Sequence, residues 1–444
     1  MTRRRFRPGA QDREILRLAV PAFLALVAEP LFLLSDAAIV GHLGTTELAG
    51  LGIAAVVLQS VVGLCVFLAY GTTAGVARRL GAGDVRGALA QGVDGLWLAV
   101  VIGTMATGAG LLLTEPLVGL FGASDPVTAQ ATTYLRVAVL GITPLLLMLA
   151  ATGVLRGLQD TRTPLVVAVA GNLANIVLNL VLVYGLDLGI GGSALGSVIA
   201  QVASAAGLTA VVVRAARREG SPLSPDLAGI RTAARVGVPL LVRTLTLRTA
   251  LLVTAYAVAR GAAGADLTVD LATHQLAMTL WGFLAFVLDA VAIAAQAITG
   301  RLLGAGDVSG TRAATRRMVQ WGLVSGVVTG LALAGLSPVL GGLFVTDDRV
   351  QQLLVPVLLV IAVTQPLAGV VFVLDGVLIG AGDGRYLAWG GLVALLVHAP
   401  LVLLASSRGL VTIWVVFSVV FLGARAVVLL TRARGGAWMV TGAG

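Results

Sequence analysis

The chain reads as twelve long apolar runs separated by short polar stretches. The runs fall near 15–40, 48–72, 88–113, 127–152, 163–185, 193–213, 236–259, 270–298, 318–340, 350–378, 386–406 and 409–431. Each is long enough to cross a bilayer core as a helix, which takes about 20 residues. The polar stretches alternate in charge. Arginines crowd the N-terminal tail (Arg3, Arg4, Arg5, Arg7, Arg13, Arg17), the loops "RRLGAGDVRG", "RGLQDTR", "RAARREGSPLSPDLAGIRTAAR", "RLLGAGDVSGTRAATRR" and "GAGDGR", and the tail "TRAR". The loops between them, such as "GHLGTTE" and "LDLGIGG", carry almost none. Because arginine-rich loops stay on the cytoplasmic side, both termini are expected there.

Composition agrees: 444 residues at 58% hydrophobic and 11% charged make a multi-pass membrane protein and exclude a soluble globule. All 30 basic residues are arginine. With the Ala, Gly and Val richness, this points to a bacterial source and hence to the cytoplasmic (inner) membrane. The net charge of +9 does not imply a nucleic-acid partner, since the arginines sit between apolar runs, where they set topology. Cys65 alone rules out a disulfide framework and a cysteine metal site. A chain without lysine has no Walker lysine, and no HExxH or GxSxG motif occurs, so an enzyme, ATP drive, a cofactor and a metal centre are not expected. The first run is too long for a signal peptide and contains Glu29 and Asp36.

The chain is internally duplicated. "RRLGAGDVRG" at 78–87 returns as "RLLGAGDVSG" at 301–310, and "GVLRGLQDTR" at 153–162 as "GVLIGAGDGR" at 376–385, both at an offset of 223. "RLAVP" at 17–21 returns as "RVGVP" at 235–239. Six helices per half restore orientation, so parallel repeats follow. The expected fold is an all-α polytopic membrane protein of 12 transmembrane helices, in two six-helix bundles related by a pseudo-two-fold axis about the membrane normal. Residues 1–213 form the N-terminal lobe, 214–235 a cytoplasmic linker and 236–444 the C-terminal lobe. Asp84 and Asp307, at the ends of the repeated "LGAGD" loops, are placed to cap the helices that follow.

Polar residues inside the runs carry the candidate chemistry, because an intramembrane carboxylate costs several kcal/mol. Glu29 and Asp36 are seven residues apart, almost two helical turns, on one expected helix face. Pro30 between them invites a kink. Asn172, Asn175 and Asn179 share a face in the fifth run, and their amides can serve a carboxylate in either protonation state or complete a cation's coordination. Ser197 and Gln201 follow in the sixth. Their repeat partners are apolar except for His398 opposite Asn175, while Thr254 faces Asp36 at an offset of 218. The C-terminal half has its own set: Arg248, His274, Gln275, Asp289, Asp375 and His398. A structural reading stands beside the functional one, with the asparagines as polar glue between helices and Asp289 or Asp375 bridged to Arg248. Arg136 is expected to cap or pair near the outer end of the fourth run, and Arg425 to snorkel at the inner end of the twelfth.

"EPLFLLSDAAIVGHLGTTELAGLGIA", "LRGLQDTRTPL", "NLANIVLNLVLVYGLDLGIGGSALGSVIAQ" and "ATHQLAMTLWGFLAFVLDAVAIAAQAITGRLLGAGD" resemble the multidrug and toxic compound extrusion (MATE) transporters, closest to their DinF-like branch. The resemblance covers essentially the whole chain. It implies an antiporter that exports amphiphilic, often cationic compounds against inward H⁺, or less readily Na⁺, by alternating access of two lobes in a monomer among membrane lipids. The alternative within the wider superfamily is a flippase for a lipid-linked intermediate. The family's coupling positions fall on Asp36, Asn175 and Ser197. Glu29, Asp36, Asn172, Asn179, Gln201, Gln275 and Asp289 are then candidates for substrate binding, with Asp375 and His398 as an alternative cation site. Asn179 stands where many members carry a second acid, and the seventh run has Arg248 and Thr254 where the NorM-like branch has a glutamate.

Overall fold

A computed structural model describes residues 8–261 and 264–443, so the expected roles of Arg3, Arg4, Arg5 and Arg7 lie outside the described residues. Among the described residues there are twelve helices long and apolar enough to cross a membrane: α1 (Gln11–Gly41), α2 (Thr45–Gly81), α3 (Val85–Gly119), α4 (Asp125–Gly157), α5 (Arg162–Gly185), α6 (Gly189–Arg218), α7 (Leu227–Gly261), α8 (Asp266–Gly304), α9 (Val308–Phe344), α10 (Asp348–Gly380), α11 (Gly384–Arg408) and α12 (Leu410–Arg434). Among the described residues there is no strand, as the need to satisfy every backbone group inside the chain segment demands in lipid. All twelve apolar runs became spans. The helices overrun the apolar stretches at most ends, so of the 214–235 segment only 219–226 lies outside helix.

Two compact units divide the chain: Val20–Leu241 with Gly442–Gly444, and Met1–Ala19 with Val242–Thr441. The breaks fall inside α1 and α7, beside Pro21 and Pro239, which match under the repeat. In the unit that contains the start of α1, Arg317 of α9 donates to both oxygens of Asp12 (2.6 and 2.8 Å). Trp321 Nε1 donates to the same carboxylate at 2.9 Å, and Arg301 of α8 bonds Glu14 at 2.5 Å.

Small residues set the helix spacing, as expected where lipid removes the hydrophobic drive for helix association. A Cβ on Gly369 of α10 would stand 2.0 Å from the carbonyl oxygen of Gly322 in α9. In the other unit, a Cβ on Gly153 of α4 would stand 1.9 Å from Thr72 Oγ1 of α2, and Thr73 Oγ1 donates to the Gly153 carbonyl at 3.1 Å.

The repeated loops fold alike. Asp84 accepts from Gly87 N (2.8 Å) and Asp307 from Gly310 N (2.7 Å), the expected caps of α3 and α9. The second pair of loops exposes a difference. Gly382 turns with φ +76°, but its repeat partner is Gln159, held at φ +68°, where a side chain costs about 1–2 kcal/mol. Gln159→Gly is therefore expected to stabilise the detergent-solubilised protein by about 1 kcal/mol. Gly382→Gln should destabilise it by a similar amount; thermal unfolding of the two variants beside the parent checks both signs.

Candidate functional site

Four spans of the unit containing residues 20–241 meet at one carboxylate. Asp36, on α1, is 3% exposed. Ser193 Oγ of α6 and Asn179 Nδ2 of α5 donate to its Oδ1 at 2.6 and 2.8 Å, and the Tyr134 hydroxyl of α4 donates to its Oδ2 at 3.1 Å. Every partner is a donor, the pattern that suits an ionised carboxylate. Asn179 Nδ2 also reaches Asn175 Oδ1 at 3.2 Å, and Asn175 Nδ2 donates to Ser197 Oγ at 2.9 Å. Asn175 and Ser197 therefore touch Asp36 through Asn179. The other end of that amide, Asn179 Oδ1, is buried with no hydrogen bond among the described residues, and Gly196 leaves it room: a Cβ there would lie 2.2 Å away.

α5 grips α1 at three levels. Asn172 Nδ2 donates to the Ala28 carbonyl (2.7 Å), Asn179 to Asp36, and the Tyr184 hydroxyl to the Ile39 carbonyl (2.6 Å). Glu29 does not join this cluster and is exposed. Seven residues return a helix to within about 20° of the same direction, but at this level α5 bonds the backbone of Ala28 through Asn172, and the donors of α4, α5 and α6 gather on Asp36. Gln201, two turns beyond Ser193 on α6, brings Oε1 to Gly141 of α4, where a Cβ would fall 2.0 Å from it, and the hydrogen bonds of Asp36 go to Ser193, Asn179 and Tyr134 instead.

In the other unit Asp375 of α10 is bound on both oxygens. Arg243 of α7 pairs with Oδ2, and Arg425 Nη2 of α12 donates to Oδ1 at 3.0 Å. The Arg425 guanidinium lies 6.0 Å from the centre of the Phe421 ring. This corrects two expectations. The bridge to Asp375 comes from Arg243 and Arg425, not Arg248, and Arg425 turns inward instead of snorkelling, because its place on α12 faces α10. Asp289 of α8 is half-buried and acts electrostatically on Arg425. His398 has separate partners: its Nε2 meets Thr254 Oγ1 at 2.9 Å, and its ring lies against Phe417 and Phe421. Thr254 spends its own hydroxyl proton on the Ala250 carbonyl (2.8 Å), so Nε2 is the N–H donor. Asp375 and His398 thus share no hydrogen bond. Gln275 is exposed, its neighbour His274 packs on Trp414, and Arg136 pairs with Glu115 as expected.

Tyr134, Ser193 and Arg243 escaped the sequence reading. Ser193 had a signal, since it stands one turn before Ser197 on the same helix face. Tyr134 and Arg243 had none, because only the packing of α4 on α1 and of α7 on α10 brings them to a carboxylate.

The sequence profile of the family MatE matches residues 21–181 and 245–404. The chain belongs to the MatE family. It is 32% identical to the DNA damage-inducible protein F of Escherichia coli, across 84% of this chain and 81% of that one. It is also 30% identical to the chloroplastic Protein DETOXIFICATION 44 of Arabidopsis thaliana, across 91% and 79%. The Vibrio cholerae MATE transporter VcmN in its bent form superposes with a TM-score of 0.87 at 20% identity, covering 97% of this chain and 99% of that one. MatE proteins are multidrug and toxin efflux transporters, not enzymes, and the resemblance read in the helix-1 and "LGAGD" segments is borne out.

In this MatE protein, removing the charge of Asp375 leaves Arg243 and Arg425 facing one another in a buried site. Asp375→Asn is expected to destabilise the fold by about 3–5 kcal/mol. Adding Arg425→Gln should recover part of the loss in denaturant or thermal unfolding, since one buried cation is then gone.

Proposed function

We propose that the chain is a secondary antiporter that exports amphiphilic, often cationic compounds in exchange for inward H⁺, with Asp36 as the group both partners use. The observation that carries the reading is the single buried carboxylate of α1, held by three donors from three other spans. A negative charge is expensive in a membrane, and a chain that retains one has a use for it. The relatives support export: the Thermotoga maritima protein that is 24% identical over 84% of this chain is named a probable multidrug resistance protein.

Hydrogen-bond chemistry favours H⁺ over Na⁺. Sodium binds oxygen lone pairs, but Ser193, Asn179 and Tyr134 all present hydrogens to Asp36. Asn179 stands where a second acid would complete a sodium site. A proton needs only one carboxylate oxygen, and the unpartnered Asn179 Oδ1 can accept the resulting O–H if the amide turns over. When ionised, Asp36 attracts a cationic substrate. Protonation cancels the charge, releases the substrate and lets α1 bend at its prolines, so one occupant excludes the other and exchange is enforced. Glu29, Asn172 and Gln201 extend the path in this lobe, and Gln275 and Asp289 in the other. The two six-helix lobes alternate access between the sides of a bacterial inner membrane, as a monomer with both termini cytoplasmic. A flippase is disfavoured, since the relatives are named for multidrug resistance and detoxification.

Asp36→Asn in proteoliposomes should abolish uphill efflux driven by a pH gradient while leaving insertion normal, and added Na⁺ should not restore it. Unchanged efflux with an unchanged pH profile would make Asp36 structural. For topology, Ser224 lies exposed in the 219–226 loop. A cysteine there, in a Cys65→Ala background, should resist an impermeant thiol reagent in intact cells and react after permeabilisation; labelling of intact cells would invert the orientation.

A further inference from the structure

Two arginines stand at the same point of the repeat. Arg78 opens the stretch "RRLGAGD" and Arg301 the stretch "RLLGAGD", at the offset of 223. Arg301 bonds the carboxylate of Glu14 at the head of α1, one turn from the Asp12 carboxylate that Arg317 and Trp321 hold. At the offset of 218 that relates α1 to α7, Asp12 and Glu14 fall on Ile230 and Thr232. Neither is an acid, and Thr232 donates its hydroxyl within its own helix, to the Ala228 carbonyl at 2.8 Å. The duplication thus kept the arginine of the first half and gave it no acid at these positions of α7.

Arg78 holds main chain instead. Its Nε and Nη2 both donate to the carbonyl of Gly442 at 3.3 Å, and at 7% exposure the guanidinium is largely out of water, so each acceptor that reaches it counts. The segment after α12 is folded back to supply this carbonyl. Trp438 Nε1 donates to the Ala433 carbonyl at 3.3 Å, the Met439 amide to the Gly436 carbonyl at 3.1 Å, and both side chains are buried. Past that anchor Val440, Thr441 and Ala443 are exposed. Gly442 sits at φ +99°, where a side chain is strained, with open space around its Cα.

Gly442 belongs with Arg78 to the unit containing residues 20–241, and Thr441 belongs with α12 to the other, so the chain changes units here as it does in α1 and α7. In α1 and α7 the change is made by continuous helix. Here it is made by a segment with glycines at both ends, and its far end rests on a neutral carbonyl. The attraction of opposite unit charges that strengthens the Arg301 and Arg317 contacts is missing at Gly442, so this hold is the first to give.

We propose that residues 435–443 form an inhibitory latch, in which the Gly442 carbonyl on Arg78 holds the state seen in the structure and has to leave for the lobes to exchange access. Trp438 and Met439 keep the segment in place for its return. The latch rests on the alternating access proposed above and is indifferent to which ion is exchanged.

Gly442→Val, which strains the turn without altering a charge or entering a packed space, and Arg78→Gln test it. A nitroxide on Ala443→Cys, in a Cys65→Ala background, reports whether the end is held, and ethidium equilibrium exchange in proteoliposomes reports cycling without any ion gradient. Both variants should free the nitroxide and exchange ethidium severalfold faster than the parent. If Arg78→Gln does not fold, Gly442→Val decides alone. An equally immobile nitroxide in Gly442→Val would overturn the latch, and a freed end with exchange no faster than the parent's would reduce it to a structural clasp and overturn its inhibitory role. A parent that exchanges no ethidium counts against the cationic substrate proposed above, and the nitroxide then decides the latch by itself.

Discussion

A carboxylate cannot sit in the dry interior of a membrane protein without partners, and that constraint organises the unit containing residues 20–241. Three donors must reach Asp36, and they come from α4, α5 and α6. The helices have to approach closely enough for side chains as short as serine, which explains why glycine faces the cluster at Gly196 and why α5 is bonded to α1 at two further levels. Packing and chemistry are inseparable here: the groups that hold α1 in place are those that satisfy its charge.

The second unit meets the same constraint differently. Its buried acid, Asp375, is neutralised by two arginines, so neither oxygen remains open for an ion. At the positions equivalent to Asp36 and Asn175, which meet only through Asn179, Thr254 and His398 touch directly, by a neutral hydrogen bond inside an aromatic shell of Phe417 and Phe421. Duplication preserved the contact between the first and fifth helices of each half and changed what it can bind. Of these equivalent positions a carboxylate occurs only at Asp36, and the proposed exchange is placed in its unit for that reason.

The twelve spans, the duplication, the capped "LGAGD" turns and the family were all legible in the linear chain, because each rests on local rules. Span length follows from bilayer thickness, and caps from an aspartate beside a glycine turn. Asp36 was legible for the same reason, since a charge in an apolar run is costly wherever the helix packs. Asn175, Asn179 and Ser197 followed from helical periodicity and from the family pattern.

Partner choice was decided only by tertiary structure. Periodicity placed Glu29 and Asp36 in one direction, yet one is exposed and the other enclosed, since burial depends on which neighbours are present at each level. Arg248 looked like the natural partner of Asp375, but α7 presents Arg243 to α10, and Arg425 arrives from α12, 50 residues further along the chain. Tyr134 carries no mark in "TTYLR" that it will donate to a residue 98 positions earlier. A sequence states which groups are too polar to be left alone in lipid. Which groups answer them depends on distances between helices that no local rule contains.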